Sequence, residues 1–507
     1  MNQLKAGVVL NYIIIVLNII VGLVYTPYML RMMGQSEYGL YSLVASVIAY
    51  LTILDLGFGN AVIRYTAKFR AEGKTREQYE MFGMFLVLYS VIGIIAFIAG
   101  LGLYFNVDNL FGDAMTAIEL DRARIMMLLM VFNLAVTFPF SIFGSIISAY
   151  ENFVFAKSVN IARIILNTIV MVCLLSVGYK AVAMVVVQTV FNISTLVINW
   201  VYCKYKLKIQ IIFGKFQWGL LKEVAIYSFW IFLNIIMDRI YWSTGQFVLG
   251  ATVGTIAVAV FAIAIQLQQM YMTFSTAING VFLPKVTGMV ATNNNPKEIS
   301  DLFIRTGRLQ YIVMSLILSG FIIFGKQFIN LWAGVEYNSA FIIALLFFIS
   351  LFPPLIQNLG ITILQARNQM KFRSLLYIVI AAVSLVFQIL FAKQYGGLGC
   401  AIAIAGALFI GQGVIMNIYY HKRQQLDIIK FWKEIIKMSI APIIVVVAFM
   451  YIQKYIEIDT WAELILGIVA FCIVYLPGFW RFSMNTYEKE IIKAPIRKVM
   501  HKIITKA

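Results

Sequence analysis

The feature that most constrains this chain is a series of apolar stretches, each about 20 residues long, that runs through all 507 residues. An α-helix of that length crosses the hydrocarbon core of a bilayer, whereas a transmembrane barrel has alternating segments of about 10 residues. The sequence therefore predicts an all-α polytopic membrane protein with about 14 transmembrane helices. The predicted spans begin near Gly7, Tyr38, Met81, Ile125, Ser158, Ala181, Val224, Gly254, Leu309, Ala340, Leu375, Leu398, Ser439 and Ala462.

The composition excludes other classes of protein. Hydrophobic residues make up 62% of the chain and charged residues 12%, whereas a soluble domain is about 45–50% apolar and about 25% charged. A soluble protein, a disordered chain and a nucleic-acid-binding protein are excluded together. The net charge of +18 is interpreted instead as a signal of membrane orientation.

The positions of the basic residues predict that orientation. With a cytoplasmic N-terminus, the even-numbered loops and both tails hold 32 of the 40 Lys and Arg residues, and the opposite side holds seven. This asymmetry follows the positive-inside rule, and a missed or extra span would disturb it. We expect a multi-pass membrane protein with both termini in the cytoplasm.

A weak internal repeat with an offset near 216 residues predicts the domain organisation. Leu17–Ile20 recurs as Leu233–Ile236, and Asn152 matches Asn368. Copies of six spans each have the same orientation, which is typical of two-lobed transporters that work by alternating access. The predicted domains are an N-terminal lobe (1–206), a cytoplasmic interfacial linker (207–223), a C-terminal lobe (224–422), an added span pair (423–482) and a basic amphipathic cytoplasmic tail (483–507).

Two basic segments, 208–222 and the tail, alternate lysines with large apolar residues. This pattern is typical of amphipathic helices that lie in the membrane interface. We therefore expect both segments to lie on the inner leaflet and to anchor the protein without recognising a particular lipid.

Polar residues inside the predicted spans mark a candidate cavity, because polar groups on a lipid-facing surface are costly. They fall on spans one, two, seven and eight. A Gly-rich segment at Gly57–Asn60 predicts a break in the second span, which a membrane protein tolerates where backbone lines a cavity. The candidate substrate-binding residues are Asn18, Tyr25, Arg31, Asp55, Asn60, Arg64, Asn234, Asp238, Arg239, Trp242, Gln246, Gln266, Gln269, Thr273 and Asn279.

A structural interpretation of these residues stays open. Asn, Gln and Thr in spans commonly form interhelical hydrogen bonds worth about 0.6 kcal/mol each. Asp55 and Asp238 could equally neutralise Arg64 and Arg239 in buried pairs. Arg239 fits the structural interpretation least well, since it is a strong base near the middle of a span.

The sequence offers no basis for catalysis. It contains no Gly-rich nucleotide-binding loop, and its two histidines, His421 and His501, lie outside the predicted spans. A metal cluster, an imidazole relay and a Ser–His–acid set are therefore not expected. We predict a protein that is not an enzyme and that uses no cofactor, although a coupling ion, Na⁺ or H⁺, fits the acidic residues in the spans.

Several N-terminal segments closely resemble the polysaccharide flippases of the multidrug/oligosaccharidyl-lipid/polysaccharide exporter superfamily. The resemblance in span count and lobes covers the whole chain, and its motifs distinguish this superfamily from other transporter folds. The segments that carry it are Leu30–Gly34, Glu37–Leu43, Leu54–Ala61 and Arg64–Tyr65.

The resemblance implies a protein of the bacterial cytoplasmic (inner) membrane, a flippase that moves an undecaprenyl-diphosphate-linked oligosaccharide from the cytoplasmic to the outer leaflet. The exported unit would serve a capsule, exopolysaccharide, O-antigen or teichoic-acid-like polymer. It also implies a cationic central cavity, which here would depend on Arg31, Arg64 and Arg239, because arginine pairs bidentately with phosphate. The implied partners are the lipid-linked oligosaccharide, membrane lipids, a polysaccharide polymerase and glycosyltransferases.

Two alternatives remain. A cation-coupled multidrug exporter of the same superfamily would use Asp55 and Asp238 to bind the ion, but the added span pair and the basic cleft count against it. A scaffold that organises polymer-assembly enzymes would use the basic loops, but those loops are short, and a scaffold does not need polar faces inside the bilayer.

Overall fold

The computed structural model describes residues 3–214, 218–279, 286, 288–290, 295–367, 369–491 and 493. Within these residues the regular secondary structure is helical, without a strand, which confirms the all-α prediction. Predicted spans one to six correspond to the helices α1 (Gln3–Met33), α2 (Gln35–Leu51), α3 (Phe58–Ala71), α4 (Thr75–Phe105), α5 (Val107–Phe111), α6 (Ala117–Ala149), α7 (Phe153–Ser176) and α8 (Ala181–Tyr205).

The remaining predicted spans also fall on helices. The two longest of them contain 37 residues (Pro296–Trp332) and 38 residues (Lys371–Leu408). These helices are α9 (Trp218–Trp242), α10 (Thr244–Thr252), α11 (Thr255–Asn279), α12 (Pro296–Trp332), α13 (Ala340–Ile356), α14 (Leu359–Ala366), α15 (Lys371–Leu408), α16 (Met416–Lys422), α17 (Ile428–Ile452) and α18 (Trp461–Phe482).

Eleven helices of the described chain are long and apolar enough to cross a membrane, or up to twelve if the bent pair α13–α14 forms one span. The prediction of about fourteen differs from this number at two places in the chain. Predicted spans eleven and twelve lie in one helical stretch of 52 residues, which is bent at Gly396 (φ 56°, ψ −136°) and, at 1.5 Å per residue, is long enough for two crossings. Predicted span seven falls on the 25-residue helix α9, which is not among the eleven.

The predicted break in the second span is present, a few residues earlier than expected. Helix α2 ends at Leu51, a 3₁₀ turn covers Thr52–Asp55, and α3 begins at Phe58. Leu56 (φ 53°) and Gly57 (φ 73°) both have left-handed backbone between them. Such a conformation is unusual for leucine, so the surrounding packing holds this break in a defined shape.

The chain divides into two compact units, residues 1–262 with 381–403 and residues 263–380 with 404–507. The boundaries of the predicted lobes, linker, span pair and tail differ from this division and stay predictions. In the first unit, α6 packs against both α4 and α8, and α1 packs against α7. A Cβ on Gly93 of α4 would lie 2.6 Å from the Ala135 carbonyl oxygen of α6, so these two helices need glycine to approach this closely.

In the second unit, α12 packs against α13, α17 and α18. A buried charge cluster fixes this arrangement. Arg308 of α12 donates from Nε and Nη2 to the two Glu488 carboxylate oxygens (2.5 and 3.0 Å), from Nη1 to Glu434 Oε2 (2.7 Å), and from Nη2 to the Ser483 carbonyl (3.2 Å). The Arg308 and Glu488 side chains are only 6% and 1% exposed.

The two predicted interfacial helices have different outcomes. Residues 208–214 are irregular, so the helix predicted there is wrong for that part, and residues 215–217 lie outside the described chain. Backbone pairing outside a helix accounts for this conformation in part, since Ile212 N donates to the Tyr79 carbonyl (3.3 Å). The tail begins as a helix capped by Asn485, which exchanges hydrogen bonds with Glu488. Residue 492 and residues 494–507 of that prediction lie outside the described residues.

Candidate functional site

Six of the predicted site residues lie on α1, α3 and the turn that precedes α3. Asn18 is exposed and Tyr25 is half-buried on α1, and Asp55 is half-buried in the 3₁₀ turn. The basic residues of this set lie on exposed positions. Arg31 and Arg64 are both exposed, and Asn60 of the same set is exposed too.

The predicted residues of the seventh span all lie in the first unit, between residues 234 and 246. Asn234, Arg239, Trp242 and Gln246 are half-buried and Asp238 is exposed. Helix α9 packs against α3 and the 3₁₀ turn. The structure therefore brings predicted spans two and seven together at the helix break.

The predicted residues of the eighth span belong to the second unit. Gln266 is half-buried and Gln269 is exposed, while the Thr273 hydroxyl donates to the Gln269 carbonyl of its own helix (2.9 Å). The side chain of Asn279 lies outside the described residues. A single cavity that joins spans one, two, seven and eight therefore stays a prediction.

The first unit contains an open polar cavity of about 390 Å³ that is lined by residues of α1, α6, α7 and α8. Of the predicted residues, Asn18 lines it. Its other polar residues were not predicted, and most are amides. They are Asn133, Arg163, Asn167, Thr168, Gln188 and Asn192.

Helical spacing explains why these side chains meet. Asn133 and Thr137 lie four residues apart on α6, and both accept hydrogen bonds from Asn192 Nδ2 of α8 (2.8 and 2.7 Å). One turn away on α8, Gln188 Nε2 donates to the Tyr41 hydroxyl of α2 (2.5 Å). Residues at i and i+4 share one helix face, so two amide-bearing faces form adjacent walls of the cavity.

Arg163 is the cationic group of the cavity. It is half-buried on α7, and its Nη2 donates to Asn160 Oδ1 one turn earlier (3.0 Å). In the part of the chain that the structure describes, no carboxylate pairs with it. One turn further, the Asn167 Oδ1 atom is buried without a hydrogen-bond partner among the described residues.

The sequence contains a signal for this site that the predicted site residues do not include. Asn160, Arg163 and Asn167 recur at intervals of three and four residues, as expected for one helix face. The orientation prediction assigns Arg163 to the inner loop before span five, although that span is predicted to begin near Ser158. In the structure Arg163 lies nearly three turns after the start of α7 at Phe153 and lines the cavity instead.

Three residues at the predicted outer ends of the spans form a second polar contact, here called the outer contact: Ser36 of α2, Glu119 of α6 and Thr255 of α11. The Glu119 carboxylate accepts hydrogen bonds from Ser36 Oγ (2.5 Å) and Thr255 Oγ1 (2.8 Å). Beside it, Glu37 forms an ion pair with Arg122. A Cβ on Gly39 would lie 1.9 Å from the Thr255 carbonyl oxygen, so α2 and α11 touch backbone to backbone here.

Comparison with known proteins identifies the family. A family model described as polysaccharide biosynthesis protein matches residues 4–290, more than half of the chain. The chain belongs to this family. This membership confirms the resemblance to polysaccharide flippases that the N-terminal motifs carry. A sequence comparison with curated proteins gives no match.

Several solved structures have the same fold as this chain. The lipid II flippase MurJ in an inward closed conformation superimposes with a TM-score of 0.70 at 17% identity, over 93% of this chain and 97% of that chain. An inward-facing multidrug resistance MATE family transporter of the MOP superfamily gives 0.59 at 14% identity, over 82% and 99%. An outward-facing MATE family transporter gives 0.54 at 15% identity, over 85% and 97%. The chain thus has the same fold as these proteins, and its long apolar helices make it a multi-pass membrane protein.

Proposed function

We propose that this protein is a flippase that moves an undecaprenyl-diphosphate-linked oligosaccharide from the inner to the outer leaflet of the bacterial cytoplasmic membrane. The observation that carries the proposal is the cavity around Arg163, where a guanidinium without a carboxylate partner among the described residues lies among amide side chains. Membership in the family of polysaccharide biosynthesis proteins supports the same substrate class.

The chemistry of the cavity suits the polar part of such a lipid. A guanidinium binds phosphate oxygens through two parallel hydrogen bonds and keeps its charge at every physiological pH. Asn and Gln side chains each offer a donor and an acceptor, which is what sugar hydroxyls require. Arg163 therefore binds the diphosphate, and Asn133, Asn167 and Asn192 contact the sugars.

The lipid tail needs an apolar path beside this cavity. On α1, Val9, Tyr12, Ile13, Val16 and Ile20 are about half exposed and line an apolar groove together with Leu17. Asn18 of the same helix lines the polar cavity. The isoprenyl chain lies along this groove in contact with the bilayer while the diphosphate occupies the cavity.

Alternating access requires a contact that closes the predicted outer side and can open again. The outer contact fits this role, since the hydrogen bonds from Ser36 and Thr255 to Glu119 are few and lie at helix ends. Opening breaks two hydrogen bonds to a carboxylate, each worth about 1.5–3 kcal/mol net. A substrate that binds the open state more tightly can supply free energy of that size.

Reconstitution tests the proposal. The purified protein is placed in liposomes that contain a fluorescent undecaprenyl-diphosphate oligosaccharide, and the accessibility of the sugar to an external sugar-modifying enzyme is followed with and without ion gradients. We expect protein-dependent transfer that falls at least tenfold in Arg163→Gln. Arg76→Gln is the matched control, because Arg76 is 83% exposed and pairs with Glu80 on the surface of α4.

Folded protein that transfers none of several lipid-linked oligosaccharides would refute the proposal. The alternative function, a cation-coupled multidrug exporter, takes its support from the similarity of the fold to MATE family transporters. The same liposomes, loaded with a cationic dye and given a Na⁺ or H⁺ gradient, test it directly. Gradient-driven dye export that is lost in Asp55→Asn, without lipid transfer, would favour the exporter.

A further inference from the structure

The second unit contains another polar cavity, of about 400 Å³, that the proposed transport cycle does not use. It lies where the start of α12, the end of α14 and the connection between α16 and α17 meet. The predicted orientation places all three elements on the cytoplasmic side. The residues that define it are Pro296, Arg367, Gln369, Arg423, Gln424 and Gln425.

The electrostatics of this cavity favour an anion. Two guanidiniums, those of Arg367 and Arg423, line it, and no carboxylate is among its described lining residues. Burial lowers the pKa of the Arg367 guanidinium, so an anion beside it would offset the loss of hydration. The 37-residue helix α12 also begins at this cavity with Pro296, and the positive end of a helix dipole attracts negative charge.

The acidic residues that adjoin the cavity in sequence, Asp427 and Glu298, take part in hydrogen bonds at helix N-termini. Asp427 Oδ1 accepts a hydrogen bond from Lys430 N (2.9 Å), and Glu298 Oε1 accepts one from Asn295 Nδ2 (3.1 Å). Arg367 is held in place from the other side, since its Nη1 donates to the carbonyl and to the Oε1 of Gln424 (2.8 and 3.0 Å). The arginine is therefore positioned before any ligand arrives.

One wall of the cavity continues into an apolar surface. Gln424 Nε2 donates to Gln369 Oε1 (2.6 Å) and to the Tyr419 hydroxyl (3.3 Å). The Tyr419 ring stacks on Phe372 with centroids 4.1 Å apart. Phe372 is 38% exposed, and Leu375, one turn along α15, is 47% exposed. A cationic pocket and a lipid-exposed apolar surface thus adjoin each other.

We propose that this cavity binds the phosphate of an anionic phospholipid of the inner leaflet, with its acyl chains along Phe372 and Leu375. Basic pockets between transmembrane helices on the cytoplasmic side are suited to anionic head groups. A free phosphate ion shares the charge but makes no use of the adjoining apolar surface. This site shares no lining residue with the Arg163 cavity. The proposal for this site therefore does not depend on which substrate the protein transports.

Native mass spectrometry of the full-length protein in detergent tests the site. The protein is titrated with phosphatidylglycerol, phosphatidylcholine or inorganic phosphate. We expect phosphatidylglycerol to be retained preferentially, and Arg423→Gln to weaken its binding about tenfold, which corresponds to 1.4 kcal/mol. Arg423→Lys should lose part of the affinity, because lysine lacks the bidentate geometry. Lys422→Gln removes the neighbouring exposed charge and serves as the matched control.

Arg423 is exposed, so Arg423→Gln should fold, and an unchanged melting temperature verifies this. Equal phosphatidylglycerol binding by Arg423→Gln and the unsubstituted protein would overturn the proposal. Equal retention of phosphatidylcholine would overturn it too, since the site would then not select negative charge. Complete displacement of phosphatidylglycerol by excess inorganic phosphate would assign the cavity to a soluble phosphate compound instead.

Discussion

Two arginines in the described helices have opposite environments. Arg308, in the second unit, donates four hydrogen bonds to Glu488, Glu434 and the Ser483 carbonyl, and is 6% exposed. Arg163, in the first unit, is half-buried in a cavity and donates to a single amide on its own helix. The first has complete charge compensation, whereas the second has capacity left for a ligand.

The difference separates a structural charge from a functional one. Breaking a buried ion pair by removing one partner is strongly destabilising. A buried cation whose partners are all in place contributes nothing further to ligand binding. A cation that lines a cavity without a carboxylate keeps its favourable interaction energy for an incoming anion. Each substitution below is designed to break or to sharpen this contrast.

The largest effect is expected at Arg308. Replacing it by Met leaves the Glu488 carboxylate, which is 1% exposed, without a counter-charge. Removing one partner of a buried pair costs about 3–5 kcal/mol. We expect Arg308→Met to lower the melting temperature sharply and to reduce the yield of folded protein, as measured by thermal unfolding in detergent.

A second substitution distinguishes charge from packing at that cluster. In the combined variant Arg308→Met, Glu434→Gln, Glu488→Met, the carboxylates that lost their partner are gone, so most of the lost stability should return. If the combined variant were as unstable as Arg308→Met alone, packing rather than charge compensation would explain the role of Arg308.

Arg163 should show the reverse behaviour. Arg163→Gln removes the cationic group of the cavity but leaves no buried carboxylate behind among the described residues. We expect transfer of the lipid-linked oligosaccharide to fall about tenfold or more, equivalent to at least ~1.4 kcal/mol, with the melting temperature nearly unchanged. Arg163→Lys should retain part of the rate, because it keeps the charge without the bidentate geometry.

The contrast fails if Arg163→Gln destabilises the protein as strongly as Arg308→Met does. It also fails if transfer is unchanged while the melting temperature falls. Either result would make Arg163 a structural residue.

Glu119 lies between these extremes, since it is charged and accepts hydrogen bonds from the hydroxyl groups of Ser36, Thr255 and Thr116. Glu119→Gln keeps the shape but removes the charge, and charge-assisted hydrogen bonds are about twice as strong as neutral ones. We expect a loss of about 1 kcal/mol, and thus a severalfold larger outward-open population. Cysteine labelling measures this population. A single cysteine replaces Val248, which is 6% exposed, in a chain whose native cysteines are replaced by serine. This cysteine should react faster with an impermeant maleimide when Glu119→Gln is also present.

Asp121→Asn is the control for this measurement, because Asp121 is 70% exposed and pairs with Arg124 one turn along the same helix. An unchanged labelling rate in Glu119→Gln would show that the outer contact does not hold the closed state. The backbone contact at Gly39 would then be the remaining closure.

The sequence predicted those features of the fold that depend on local pattern. Apolar length predicts the helices, and the glycines after Asp55 predict the break before α3. The opposite environments of the two arginines could not be predicted in this way. Arg308 and Glu488 are 180 residues apart, so whether a guanidinium meets a carboxylate depends on which helices pack together. Single-helix periodicity identifies a polar face but not the residues opposite it.

The smallest expected effect is at Asn192, and it decides whether the amides of the Arg163 cavity are interhelical packing contacts or ligand-binding groups. Asn192→Ala removes the hydrogen bonds to Asn133 and Thr137, and such bonds in membranes are worth about 0.6 kcal/mol each. We expect a small loss of stability together with a severalfold loss of transfer, because the same amide faces the substrate beside Arg163. Asn106→Ala, at an exposed helix end, should change neither quantity. A loss of stability with normal transfer would show that Asn192 is a packing contact and that Arg163 alone binds the substrate in this cavity. The sugars would then be recognised elsewhere in the protein.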